Sequence, residues 1–450
     1  MQKQSHIGII GGGAAAVALA AHLARQADAT GVRAPAITIF DPADVVGLGV
    51  AYATRDPAHV LNVPAAGMSL WPDRPHDFLD WLNDANSGWR VLDPSFEDMA
   101  VTPYSFMPRM VYGAYLRDRL ARVNVTHRRV MVTGVTPLDA GVAVSGAGET
   151  HVFDAVVLAC GNVAPVRVPG MDAAITSGQP GGALSLYGLR PNDIPPDLTG
   201  DNVMILGTGL SMVDAVLTLD RIGYDGQIVA VSRHGLVPQP HAPEMLTPRP
   251  PFVQADALPS TARGIMRALR RAARDGEWRT AVDSLRPFSN AIWRGLSLSE
   301  RARLRRVLPY WAVHRHRMAP HVALRLQDLI GSGRLSIHHG RADSVRGDGN
   351  NGVIVAVDGV DHACDAVISA LGYRSDPFAP GSLSATLIEE GVLHVDGPAM
   401  RIYDDATLRL HAGAPLYGLG PVLGAAFIET TAMPDIRQQA AAIATALLAQ

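Results

Sequence analysis

Two short glycine-rich turns carry the residues in this chain whose spacing is best suited to chemistry. The first runs Gly11-Gly12-Gly13-Ala14-Ala15-Ala16 after the apolar stretch Ile7-Gly8-Ile9-Ile10. The second runs Gly207-Thr208-Gly209-Leu210-Ser211-Met212 after Val203-Met204-Ile205-Leu206. A strand that bends sharply into a helix needs glycine where φ is positive and where backbone must approach a pyrophosphate. The free N–H groups and the positive end of the helix dipole then hold the phosphates. In the first turn Gly11 makes the bend, Gly13 admits the phosphate and Ala16 takes the third, packing position. The apolar strand that follows ends in Asp41, where such a site places an acid on a ribose hydroxyl.

The second turn is less regular, because Met212 stands where a small residue is usual. Gly207, Gly209 and Ser211 are its candidate cofactor contacts, and the next strand ends in Ser232-Arg233-His234 rather than in an acid. A carboxylate there favours NADH, whereas Arg233 suits a ribose 2′-phosphate and so points to NADPH. The alternative is an arginine simply solvated at a strand end. Two dinucleotide turns in one chain imply two dinucleotides, FAD and NADH or NADPH, and hence a flavoprotein reduced by a nicotinamide.

These turns must be positioned by an α/β fold with two Rossmann-like dinucleotide-binding domains and a helical insertion. Residues 1–175 read as the first part of the FAD domain, and 201–370 as the NAD(P)H domain with its insertion near 261–331. Residues 375–450 read as a C-terminal return to the FAD domain. Each half closes with a similar apolar strand ending in glycine, Val156 to Gly161 and Ala366 to Gly372, as expected of a half-repeat. Gly161 is thereby a further cofactor candidate. In the return, Gly418 and Gly420 would let backbone pass close to the flavin ring.

With 450 residues the chain is long enough for two or three cores. Its 39 basic and 42 acidic residues give no charge bias toward nucleic acid or an anionic membrane. The arginine clusters Arg267–Arg274 and Arg301–Arg306 read as solvated faces of amphipathic helices. No stretch has the length of a membrane span and no signal segment opens the chain, so the expected compartment is the cytoplasm. Cys160 and Cys364 are the only cysteines and form no C-x-x-C pair, which argues against disulfide-reductase chemistry. Cys160, at the end of an apolar strand, reads as a buried packing residue. No metal site is expected, since His314 and His316 diverge on a helix.

Several further blocks carry a resemblance. They are Gly49-Val50-Ala51-Tyr52, the run Asp56 to Ala65 containing Leu61-Asn62-Val63-Pro64, and Thr102-Pro103 with Pro108-Arg109. Tyr112-Gly113, Tyr115-Leu116, His314 to Pro320 and Glu429 to Arg437 complete them. Together they resemble a bacterial FAD/NAD(P)-binding flavoprotein family whose members of known activity are monooxygenases. Among these are an FAD-dependent urate hydroxylase and an aspartate N-monooxygenase that makes nitrosuccinate. The resemblance implies a two-domain monooxygenase acting on a small molecule with oxygen, without nucleic-acid or membrane partners, and leaves the oligomeric state open. One departure is that the stretch Thr176 to Leu189 lacks the F-x-G-x-x-x-H pattern of the broader N-hydroxylating and Baeyer–Villiger flavoproteins.

Within that frame Asn62 is the catalytic candidate, its amide reaching the flavin side; the alternative is a turn asparagine bonded to its own backbone. Urate is a planar anion and aspartate a dicarboxylate, so either wants guanidinium groups. Arg315 and Arg317 form one candidate substrate cluster and Arg109 a second. The plain two-domain length tips the substrate expectation narrowly to urate. N-hydroxylation of an amino acid such as aspartate, or NAD(P)H reduction without oxygen insertion, are the alternatives.

Overall fold

A computed structural model describes residues 4–162, 165–171, 194–349, 352–374 and 378–449. The stretch Thr176 to Leu189 lies outside these residues. A five-stranded parallel sheet runs, in spatial order, Leu416–Gly418, Ala155–Leu158, His6–Ile10, Ala36–Phe40 and Val125–Arg128. A second parallel sheet, of four strands, runs Leu335–His339, Gln227–Ser232, Asn202–Leu206 and Ala366–Ser369. Each central strand, His6–Ile10 and Asn202–Leu206, feeds one glycine turn. Both are buried apolar runs, as strands covered on two faces must be.

The chain therefore holds two Rossmann-like units, each with a small antiparallel three-stranded sheet spliced in before its closing strand. These are Gly134–Leu138, Gly141–Gly146 and Glu149–Phe153 in the first unit, and Ala342–Gly347, Val353–Val357 and Val360–Cys364 in the second. The strand Leu416–Gly418 places the C-terminal part of the chain in the first sheet, and helix Met433–Leu448 packs along helix Ala14–Thr30. Small residues suit such close packing: Ala16, Ala20, Ala440 and Ala444 are all fully buried in the core these helices share.

Between the second sheet's strands lies a helical excursion, Ala262–Arg274, Trp278–Gly295, Leu298–Arg305 and Leu308–Arg315, followed by Pro320–Gly331. It has its own small core around Ile265, Leu285, Ile292, Trp293 and Leu304. On helix Ala262–Arg274 the arginines at 263, 267, 270, 271 and 274 are all exposed, the solvated face that its periodicity suggests. Among the described residues no helix is long and apolar enough to cross a membrane.

Candidate functional site

The two turns share one backbone solution. Gly11 has φ +101° and Gly207 φ +106°, and a Cβ on either would sit 2.3 Å from a carbonyl oxygen, that of Ala159 or of Ala370. Both carbonyls belong to the segments that close the two halves, so the half-repeat is also a geometric one. The helices then begin at Gly13 (φ −82°, ψ −167°) and Gly209 (φ −81°, ψ −167°), neither capped by a side chain. Uncapped first-turn N–H groups beside glycine are what a pyrophosphate needs.

Around the first turn the crowding is backbone against backbone. A Cβ on Gly49 (φ +55°) would meet Gly13 Cα at 3.1 Å. Gly49, which the sequence showed only within a block of the resemblance, therefore lies directly against the first glycine turn. Asp41 accepts the Gly12 N–H at 2.6 Å and the Ala43 N–H at 2.9 Å, which fixes its carboxylate beside the turn. Ala16 is fully buried, in the packing position expected of it. A cleft of about 390 Å³ opens here, walled by Gly11, Asp41, Cys160, Gly161, Ser382 and Val422. A narrow glycine cradle, an acid and an adjoining cleft fit the pyrophosphate and ribose of FAD.

Cys160 corrects an expectation. It is exposed, on the wall of that cleft, because the strand ends at Leu158 and the chain leaves the sheet before residue 160. Protein on the other sides still desolvates the thiol and pushes it up to about 12, so it is an inert wall rather than a nucleophile. Cys364 is buried in the second unit.

At the second turn Ser211 lies in the first turn of helix Leu210–Arg221. Thr208 hydrogen-bonds Ser232 at 2.7 Å and so ties the turn to the end of the neighbouring strand. Arg233, the next residue, is exposed and has no ion pair among the described residues. Gly418 is hemmed in by Leu410 and Leu423, and Gly420 (φ +76°) faces Ala15 at the start of the first helix. The Gly420 N–H donates to Gln439 at 2.9 Å and its carbonyl accepts from Thr430 at 2.9 Å.

Asn62 lies where the first unit meets the connector that follows Arg233. Its carbonyl accepts from His241 Nε2 at 3.0 Å, and no described contact ties its amide to its own turn. Burial, helped by Arg317, lowers His241 to about 4, so it is a neutral donor at physiological pH. The three substrate-candidate arginines are separated and engaged. Arg109 pairs with Asp214 at 2.9 Å and donates to the Val60 carbonyl. Arg315 makes a fork to Glu429 at 2.8 and 3.0 Å. Arg317, buried, donates to both oxygens of Asp283 at 2.7 Å.

Further charged residues complete this region. Arg286 pairs with Asp435 at 2.9 Å. Arg437 donates to the Ser69 carbonyl, leaves Nε buried without a partner and has no carboxylate pair among the described residues. His316, exposed at the end of its helix, has Arg315, Arg286 and Asp435 as its charged neighbours. His316, Asp435 and Arg437 lie within the blocks that carry the resemblance, whereas Arg286 carried no signal. No cluster of metal ligands occurs among the described residues.

Residues 8–163 match a family described as FAD-NAD(P)-binding. No curated protein matches the sequence. The reduced ornithine hydroxylase of Pseudomonas aeruginosa superposes with a TM-score of 0.63 at 17% identity, covering 99% of each chain. The ornithine N-hydroxylase of Kutzneria sp. 744, with reduced FAD, NADP+ and L-ornithine, gives 0.61 at 18% identity, covering 99% of each chain. Thioredoxin reductase of T. acidophilum gives 0.53 at 12% identity, covering 100% of this chain and 99% of that one. At these identities the likeness is one of fold, the fold of FAD- and NAD(P)-dependent oxidoreductases.

Proposed function

We propose that this protein is an FAD-dependent monooxygenase that takes hydride from NAD(P)H and hydroxylates the nitrogen of a small amine bearing a carboxylate. The observation that carries the reading is the two-turn architecture, with N-hydroxylating flavoenzymes superposing over the whole chain. Disulfide-reductase chemistry, which the fold also hosts, needs two thiols at the flavin, and Cys160 and Cys364 sit in different units. Arg437, a half-buried cation without a carboxylate pair among the described residues, supports an anionic group on the substrate.

FAD, when bound, supplies hydride acceptance and oxygen activation. Gly11, Gly13, Gly49 and Asp41 would hold it, with the Gly161 and Gly420 backbones alongside. Gly207, Gly209, Ser211 and Arg233 would hold the nicotinamide dinucleotide, Arg233 favouring a 2′-phosphate. Asn62 presents its amide at the junction, its backbone fixed by His241. Arg109, Arg315 and Arg317 are engaged by carboxylates, which leaves Arg437 to receive the substrate anion. The helical excursion is tied to this side by the Arg286–Asp435 and Arg315–Glu429 pairs.

The test is NAD(P)H oxidation by FAD-loaded protein in air with a panel of amino acids including aspartate and ornithine, and with urate, counting product and peroxide. An amine-stimulated rate with N-hydroxylated product and little peroxide supports the reading. Urate consumption instead would establish the hydroxylation expected from the resemblance. Peroxide alone in every case would leave a reductase.

A further inference from the structure

Between the two units lies a buried polar relay that nucleotide binding does not require. Thr54, Asp56 and His59 come from the irregular loop of the first unit, and Asp214, Thr218 and Arg221 from the helix that starts at the second glycine turn. His59 is 1% exposed, Thr54 and Thr218 are equally enclosed, and Asp56 is buried with them. His59 Nδ1 lies 2.8 Å from Thr54 Oγ1, and Nε2 lies 2.8 Å from Thr218 Oγ1 and 3.2 Å from the Asp214 carbonyl. The Thr218 hydroxyl donates to Asp56 Oδ2 at 2.7 Å, and Arg221 makes a fork to the same carboxylate at 2.9 and 3.0 Å.

With a neutral imidazole the chain has one proton arrangement. Thr218 has a single hydroxyl hydrogen and spends it on Asp56, so it accepts from His59 Nε2–H. In that tautomer His59 Nδ1 accepts from the Thr54 hydroxyl. Each member fixes the next, and burial makes an unsatisfied one costly. The Asp56 carboxyl is held below its ordinary range: burial opposes this, but Arg221, the Ala58 N–H and Thr218 outweigh it. Alongside runs the Arg109–Asp214 pair at 2.9 Å, with Arg109 also holding Val60.

The relay joins two functional ends. Three residues after His59 comes Asn62, and the helix bearing Thr218 begins at Gly209. We propose that Thr54, His59, Thr218, Asp56 and Arg221 form a positioning latch that sets the nicotinamide-carrying turn in register with the flavin side for hydride transfer. The hydride-transfer part rests on the proposed function; the latch itself does not.

Thr218→Val tests it, since valine keeps the volume and removes the hydroxyl, and Thr218→Ser restores the hydroxyl. In FAD-loaded protein, anaerobic flavin reduction by NADPH should slow by about tenfold or more in Thr218→Val and return toward the wild-type rate in Thr218→Ser. Flavin content and reduction by dithionite should match wild type in both. A second readout needs no cofactor: spin labels at Val32→Cys and Val360→Cys in a Cys160→Ser background report the distance between the units by pulsed EPR. The distribution should be narrow with Thr218 and with Thr218→Ser, and broad or displaced with Thr218→Val. An unchanged distribution and reduction rate in Thr218→Val overturn the latch. A wild type that neither nicotinamide reduces overturns the proposed function, while the distance measurement still decides the latch.

Discussion

The two glycine-turn helices, Ala14–Thr30 and Leu210–Arg221, start from nearly the same backbone but are anchored differently. Both use a polar residue in the third turn and an arginine near it to grip the irregular loop of the first unit. In the first helix His22 bonds the Leu70 carbonyl at 3.1 Å and Arg25 pairs with Asp73. In the second, Thr218 bonds His59 and Arg221 pairs with Asp56. The first anchors within its own unit, and its alanine faces pack tightly on the C-terminal helix. The second anchors across the units through buried hydrogen bonds. Both helices are packed into apolar cores, but the polar anchor of the second is the one that crosses the units, and there a single hydroxyl holds the join.

The largest expected effect breaks the likeness of the turns themselves. Gly11→Ala forces a methyl to 2.3 Å from the Ala159 carbonyl at positive φ, and the purified protein should carry no flavin absorbance. Gly207→Ala meets the same obstacle at Ala370, yet should keep flavin and lose reduction by NAD(P)H. If both variants lose flavin, the two turns do not serve separate dinucleotides.

Next in size is the Arg315–Glu429 fork, which ties the helical excursion to the C-terminal return with both partners largely buried. Arg315→Ala leaves Glu429 uncompensated and should lower the unfolding free energy by about 3–5 kcal/mol, read by urea denaturation. A loss below about 1 kcal/mol would mean that solvent reaches the pair.

The two anchors also differ in their response to acid. Burial lowers His22 to about 4 from an ordinary value of 6.5. Below 6.5 the unfolded chain binds a proton that the folded chain refuses, so this anchor's stability is present above 6.5 and lost as pH falls toward 4. The loss is on the order of 3 kcal/mol. Thr218 does not titrate. His22→Gln should therefore flatten the stability curve between those pH values, and an unchanged curve would move the acid sensitivity to His241.

The smallest effect concerns the ribose end. Arg233 is exposed without an ion pair among the described residues, whereas Asp41 is held by two N–H groups. Arg233→Ala should cut kcat/KM for NADPH by about tenfold, the worth of one charge-assisted hydrogen bond, and leave NADH unaffected. An equal loss with both nicotinamides would remove Arg233 from cofactor choice.

Much of the fold was legible because it is written locally. Apolar strand, glycine bend and helix follow one another within a few residues, and Gly11 and Gly207 stand where φ is positive. The site was less legible. Arg315 and Arg317 were visible as a cluster, but their carboxylate partners, Glu429 and Asp283, lie far along the chain. Cys160 read as core because its strand is apolar, and the chain leaves the sheet just before it.

The sequence by itself determined that two dinucleotide turns exist and that no thiol pair serves them, since both depend on short-range spacing and residue type. Tertiary structure alone decided that Leu416–Gly418 joins the first sheet, that Gly49 faces Gly13, and that His59 meets Thr218. Such contacts depend on how separated segments pack and where buried polar groups find partners, and no local pattern records either.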